Sequence, residues 1–308
     1  MIHFLNLMRW KNLVMIALAQ ILIKYALLLP FFESHGVITT LSPLAFSLLV
    51  IATVCIAAGG YVINDIYDIE TDKVNKPERV IVNRYISEKV ALRLFIILNI
   101  IGVGLGFYLS NGIGKSGFFV IFFIASALLY IYSSYLKQML LIGNIVVSLT
   151  VALSLLLVGI FELLPVINDE NKEVQIFFFR LILDYAIFAF MINFIRELVK
   201  DIEDIDGDHK AGMQTLPIVL GRERSTKIVC ILSLIPLFSV VYYVIANLFK
   251  QQLFVGYFLI FVIAPLIYIT IKLFSAEHKS HYKHLSLVLK LVMLTGLLSM
   301  VLYPYVLK

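Results

Sequence analysis

Apolar residues run through this chain in blocks close to the roughly 20 residues that a helix needs to cross a bilayer, and short polar connections separate them. Nine blocks can be drawn, at about 13–31, 41–63, 90–109, 117–136, 140–161, 176–196, 227–247, 253–272 and 285–306. The pattern predicts an all-α, polytopic membrane protein: a bundle of nine transmembrane helices forming a single domain over residues 1–308. The first block has no small-residue cleavage site behind it and no basic leader, so it reads as a retained helix. Composition sharpens this picture. Hydrophobic residues make up 61% of the chain and charged residues 15%, against roughly 25% charged in a globular protein, and the mean hydropathy is +0.97. A soluble fold, a disordered chain, a collagen, a coiled coil and a disulfide scaffold are all excluded by those figures. Cys55 and Cys230 lie inside apolar blocks and read as packing residues.

The formal charge of +5 could suggest nucleic acid as a partner, but the basic residues are scattered among short connections, where lipid headgroups are the natural partner. Nucleic acid is set aside on that ground. The connections after the odd-numbered blocks and the C-terminus carry four Lys and Arg. The N-terminus and the connections after blocks 2, 4, 6 and 8 carry about four times as many, which by the positive-inside rule places them in the cytoplasm and the C-terminus outside. Two connections on the basic side are long, 64–89 and 197–227, and each follows an even-numbered block. Four helices separate them, which hints at duplication of a four-helix unit, with no residue-level repeat beyond their acidic character.

Half of the twenty acidic residues fall in two short windows of these connections: Asp65, Asp68, Glu70 and Asp72 in the first, and Glu197, Asp201, Glu203, Asp204, Asp206 and Asp208 in the second. Asn64, Asp68 and Asp72 are spaced i, i+4, i+8 and share one face of a helix that extends block 2. Asp201, Asp204 and Asp208 repeat the arrangement at i, i+3, i+7. Crowded carboxylates repel one another and call for compensating cations. Two oxygen-bearing faces at one membrane level suit Mg²⁺, which takes a few carboxylates and fills its shell with water and substrate phosphates, so a diphosphate is the natural bridging ligand. The competing readings are solvated helix caps, a cation-coupled transporter and a silent scaffold. A transporter calls for charges within the spans, where only Lys24 stands out. A scaffold gives no reason to align carboxylates on two helix faces.

The first window, Asn64-Asp65-Ile66-Tyr67-Asp68-Ile69-Glu70-Thr71-Asp72, matches an NDxxDxxxD motif, and Asp201, Asp204 and Asp208 carry a DxxDxxxD element. On these motifs, their separation and the nine-helix layout, the chain resembles the UbiA family of intramembrane prenyltransferases. Asn75-Lys76-Pro77-Glu78-Arg79 is similar to the family's NKPxRP segment, with Val80 in place of the second proline and Asn83-Arg84 in place of its usual Ser-Gly. Tyr130, Lys137 and Asn144 resemble the Tyr, Lys and Asn around its phosphate-contacting loop between spans 4 and 5. Arg9 and Asn12 resemble its N-terminal Arg-Pro-x-Asn element, with Trp10 in place of proline. Lys200 to Asp208, continuing to Thr215-Leu216-Pro217-Ile218, looks most like the branch that transfers geranylgeranyl to geranylgeranylglyceryl phosphate.

The resemblance implies a transferase that ionises an allylic diphosphate. Asn64, Asp65, Asp68, Asp72, Asp201, Asp204 and Asp208 would hold Mg²⁺. Asn64, Arg79, Lys137, Asn144, Arg9 and Asn12 would bind the diphosphate, and Lys137 would act catalytically with the four carboxylates of Asp68, Asp72, Asp204 and Asp208. Tyr130 would shelter the allyl cation with its ring face. The implied partners are an isoprenyl diphosphate donor, a lipid or aromatic acceptor, and membrane lipids, with the site on the cytoplasmic side. His278, His281 and His284, spaced i, i+3, i+6, read as a surface loop ahead of a metal face. His209 beside Asp208 is a candidate proton acceptor, and Gly59-Gly60 a close helix contact.

Overall fold

The computed structural model describes residues 2–306. Among them are nine helices long and apolar enough to cross a membrane: Trp10–His35 (α1), Pro43–Tyr67 (α2), Glu88–Gly112 (α3), Ser116–Ser134 (α4), Ile142–Val166 (α5), Lys172–Glu203 (α6), Arg222–Leu248 (α7), Gln252–Phe274 (α8) and Lys279–Tyr305 (α9). No strand occurs among the described residues. Several helices outrun their apolar blocks by one or two turns, because polar residues at their ends stay helical. The largest difference is α6, which continues through Glu197 to Glu203 and brings residues read as loop onto a helix.

Local chemistry explains the ends. Ser42 caps α2 by accepting from the backbone N–H of Ala45 at 3.2 Å, with Pro43 in the first helical position. Arg9 takes a left-handed conformation (φ 51°) that turns the chain between a short helix, Ile2–Leu7, and α1. Gly59 and Gly60 let α2 approach its neighbours: a Cβ at Gly59 would lie 2.5 Å from Asn99 on α3, and one at Gly60 would lie 2.9 Å from Leu129 on α4. The two cysteines are free and half-buried, as packing residues are.

At the end of the bundle away from the acidic windows, Lys24 is fully enclosed. Its Nζ donates to Glu162 Oε1 at 2.7 Å and to the Leu41 carbonyl at 2.6 Å, and Glu162 Oε2 accepts from Leu41 N–H at 3.0 Å. This network stitches α1, α5 and the α1–α2 connection together, and both ions are satisfied where water cannot reach them. Lys24 is not the sole charge within the spans, as the sequence suggested: Glu162, Asp184, Arg196 and Lys290 also lie on spanning helices. Glu162 escaped notice because α5 runs past the end of its apolar block.

Candidate functional site

Both acidic windows lie at one end of the bundle and are built alike. α2 gives way at Asp68 (φ −93°, ψ 5°) to a short helix, Ile69–Asn75, and α6 gives way at Asp204 (φ −99°, ψ 8°) to a short helix, Ile205–Lys210. The sequence predicted one unbroken helix face in each window. What forms is a helix kinked at the motif aspartate, with the i to i−4 hydrogen bonds retained on both sides: Asp68 N–H to Asn64 and Asp72 N–H to Asp68, then Asp204 N–H to Lys200 and Asp208 N–H to Asp204. Each window is thus kinked at a motif aspartate.

The two short helices close against each other at Gly207, whose N–H donates to Asn75 Oδ1 at 2.9 Å while Asn75 Nδ2 donates to the Asp204 carbonyl at 2.8 Å. Lys279, from the start of α9, donates to the Asn75 carbonyl at 2.9 Å and braces the joint. The pairing faces both windows into one cavity of about 760 Å³, whose polar end is lined by Asn64, Asp65, Asp68, Asp72, Asp201, Asp204 and Asp208 and whose deeper wall includes Ile56, Phe122 and Leu157.

Cations neutralise this acidic end. Lys137 Nζ bonds Asp68 Oδ1, and Asn64 Nδ2 bonds Asp68 Oδ2. Lys76 Nζ reaches across from the first window to Asp204 Oδ2 at 2.6 Å. Arg9 donates to Asp65 at 2.8 Å and lies over the Tyr61 ring at 5.1 Å, so Asp65 is an anchor for Arg9 in this arrangement. Asn144 donates to Asp201 Oδ2 at 2.8 Å, which fixes that carboxylate. Gly143 allows the Lys137 turn to close on α5, since a Cβ there would lie 2.7 Å from Lys137 Cα. Burial pushes the Asp72 carboxyl up to about 6, helped by Asp68 and Asp65. Burial pushes Asp208 up to about 8, helped by Asp201, Asp204 and Asp68. Asp204 Oδ1 is buried without a hydrogen-bond partner.

Most of the residues singled out from the sequence meet in this cavity: Arg9, Asn12, Arg79, Lys137 and Asn144 line it with the carboxylates and Asn64. Arg79 stands at the rim, 60% exposed and 3.8 Å from Glu78. Asn12 accepts from Lys290 on α9. Tyr130 is a correction. Its ring points outward, 43% exposed, against Tyr67 and Phe95, and Tyr132 lines the cavity instead. Two residues along a helix differ by about 200°, so these two tyrosines occupy opposite faces. His209 is exposed outside the cavity. His278 and His281 meet edge to face with ring centroids 5.3 Å apart while His284 bonds Tyr268, so the histidine face does not converge.

Lys76 stands in the NKPxRP-like segment with no role implied there, and Asn193 and Arg196, which extend the polar face of α6 inward, are not among the sequence's candidates. Asn193, Arg196, Glu197, Lys200, Asp201 and Asp204 line the cavity at helical spacing. The signal was in the sequence, but ending block 6 at Arg196 cut the period in half.

Residues 26–294 match the model of the UbiA prenyltransferase family. A protein of Sulfolobus acidocaldarius named digeranylgeranylglyceryl phosphate synthase is 40% identical over 200 residues, which cover 64% of this chain and 66% of that one. The protein of the same name from Methanosphaera stadtmanae is 32% identical over 237 residues, covering 75% of this chain and 78% of that one. The solved structure of a UbiA homologue from Archaeoglobus fulgidus bound to GPP and Mg²⁺ has a TM-score of 0.56 and 17% identity over 97% of this chain and 99% of that one, a likeness of fold.

Proposed function

The chain belongs to the UbiA prenyltransferase family, and on that premise we propose that it moves a geranylgeranyl group from its diphosphate to the free hydroxyl of geranylgeranylglyceryl phosphate, forming an ether. The protein is an integral, multi-pass membrane enzyme. One observation carries the reading: two carboxylate motifs and three lysines share one cavity whose deeper wall is apolar. Such a cavity takes a headgroup rich in phosphate at one end and an isoprenoid at the other. The names of the two relatives support a glyceryl phosphate lipid as the acceptor.

The residues fit a divalent cation shared with a diphosphate. The ligands on offer are hard oxygens, and the unpartnered Asp204 Oδ1 is a vacant acceptor. Among the described residues no three acidic, His or Cys side chains converge to hold a metal by themselves. Mg²⁺ binds through carboxylates and completes its shell with substrate phosphates and water. Asp68, Asp72, Asp204 and Asp208 would hold it, with Asn64 and Asp201 in support. When bound, Mg²⁺ supplies positive charge to the leaving diphosphate.

The protein's own groups do the rest. Lys137 and Lys76, which balance Asp68 and Asp204, turn their N–H donors to the phosphate oxygens as negative charge gathers there. The C1–O bond of the donor breaks, the acceptor oxygen bonds to C1, and the hydroxyl proton leaves to diphosphate or water. Tyr132, in place of Tyr130, offers its ring face to the allyl cation. The basic connections at this end support a site that faces the cytoplasm together with the N-terminus.

The test is product formation by detergent-purified protein from geranylgeranyl diphosphate, with and without Mg²⁺, with geranylgeranylglyceryl phosphate and an aromatic acid as competing acceptors. A Mg²⁺-dependent lipid ether is expected. Prenylation of the aromatic acid alone would replace the acceptor, and no transfer to either would overturn the reading.

The raised carboxyls add a pH dependence. Folded Asp72 titrates near 6 and Asp208 near 8, both above the roughly 4 of an unfolded aspartate. The folded, metal-free protein therefore holds more protons between those values, and it loses stability as pH rises through that window. Mg²⁺ needs the carboxylates ionised, so its binding releases protons and tightens with pH. At fixed Mg²⁺, the rise in Tm is expected to be larger at about pH 8 than at about pH 6. A pH-independent rise would remove Asp72 and Asp208 from the metal site.

A further inference from the structure

Beside the acidic cavity lies a second, narrower chamber of about 120 Å³, bounded chiefly by α1, α6 and α9. Most of its wall is apolar, with Met15, Phe188, Ile192, Val240 and Met293 among its side chains. Asn12, Tyr61, Asn193 and Arg196 line both spaces, so the head of the chamber opens at the acidic cavity.

That head is basic. Lys290 Nζ donates to the neutral side chain of Asn12. Arg196 gives one Nη to Glu197 at 2.9 Å, but its Nε is buried with no partner. Glu197 also accepts from Lys200 at 3.0 Å, so one carboxylate is divided between two cations and leaves positive charge over. Asp184 lines the chamber too, twelve residues away from Arg196 along α6. At a rise of ~1.5 Å per residue that is about 18 Å, out of reach of either cation. Lys290 and Arg196 thus stand on membrane helices with less counter-charge than the family of buried ions usually carries, and such groups are costly unless a ligand completes them.

We infer that Arg196 and Lys290, with Asn12 orienting Lys290, bind the phosphate monoester of the acceptor lipid, whose chain lies along the apolar chamber. The inference rests on the phosphorylated acceptor of the proposed function. It gives the two phosphate-bearing substrates separate cationic sets: Lys137 and Lys76 for the donor, Arg196 and Lys290 for the acceptor. The glycerol hydroxyl, between a phosphate at the junction and a chain in the chamber, faces the acidic cavity where the donor ionises. The same pair makes the site selective, because an acceptor without phosphate leaves Lys290 without an anion and the buried Arg196 Nε without a partner.

The experiment measures KM for donor and acceptor separately in Lys290→Met, Arg196→Gln and Lys290→Arg, each with geranylgeranylglyceryl phosphate and with its phosphate-free analogue geranylgeranylglycerol. In the first two variants the KM for the phosphorylated acceptor is expected to rise about tenfold or more, with the donor KM held within about twofold. The preference for the phosphorylated acceptor should fall by the same factor, and Lys290→Arg should recover most of it. An unchanged acceptor KM in Lys290→Met would overturn the assignment, as would equal losses with both acceptors, which is the signature of a packing defect. The wild-type enzyme separates the two levels of failure. If it makes no ether from this acceptor, the proposed function falls and the inference with it. If it does, and the variants keep their acceptor KM, only the phosphate site falls.

Discussion

Replacing Asp68 or Asp204 with asparagine is expected to lower prenyl transfer by about a thousandfold or more while the bundle stays folded. Asparagine keeps the size of each side chain and one oxygen, so packing is preserved. What it removes is the negative charge that pairs with Lys137 at Asp68 and with Lys76 at Asp204. It also removes the anionic character of Asp204, the one carboxylate among the described residues with a buried, unpartnered oxygen, Oδ1. A single preorganised donor to a developing oxyanion is worth about 10² to 10³ in kcat, and a carboxylate that helps to hold the neutralising cation should be worth at least that. Some stability is also at stake. Lys137 is only 8% exposed, and stranding a buried ammonium costs more than losing a surface pair. The check is therefore single-turnover product formation alongside thermal unfolding of each purified variant. Near-normal turnover in Asp204→Asn would remove the carboxylates from the reaction.

The sequence made the nine helices legible because hydrophobic length is the strongest signal a chain carries in lipid, where every backbone polar group must be satisfied within its own segment. It made the two acidic windows legible because carboxylates at helical spacing are rare without a ligand to share. Other features depended on tertiary contacts. The kinks at Asp68 and Asp204 leave the one-face spacing almost unchanged, so spacing alone reads as straight helix. The choice between Tyr130 and Tyr132 turns on which side of α4 faces the cavity, and an apolar helix hides its own orientation. Lys76 sits in the first window yet serves Asp204 of the second, a pairing that exists only once the two short helices meet. The basic head of the second chamber draws Asn12, Arg196 and Lys290 from three distant helices.

That meeting of the short helices depends on Gly207, and Gly207→Ala is expected to cut kcat by about a hundredfold, the usual consequence of misplacing reacting groups by ~1 Å. A Cβ at this position would lie 2.6 Å from Asn75 Cγ and 2.7 Å from the backbone carbonyl of Thr71. Asn75 cannot swing aside cheaply, because its amide is held at both ends, to Gly207 N–H and to the Asp204 carbonyl. The carbonyl of Thr71 cannot move without its helix. Relief must therefore come from separating Ile69–Asn75 from Ile205–Lys210, which carry Asp72 and Asp208 respectively. The loss should fall on catalysis more than on the fold, since the contact lies at one end of the bundle and overpacking of this kind costs about 1–3 kcal/mol. Gly104→Ala is the control, as nothing lies within 4 Å of its missing Cβ. Adding Asn75→Ala to Gly207→Ala removes one of the two obstructing groups and leaves the Thr71 carbonyl, so only part of the activity should return. Full activity in Gly207→Ala would mean that the two aspartate motifs work without close contact between their helices. A hundredfold loss only partly repaired by the second substitution would locate the requirement in the separation of those two backbones.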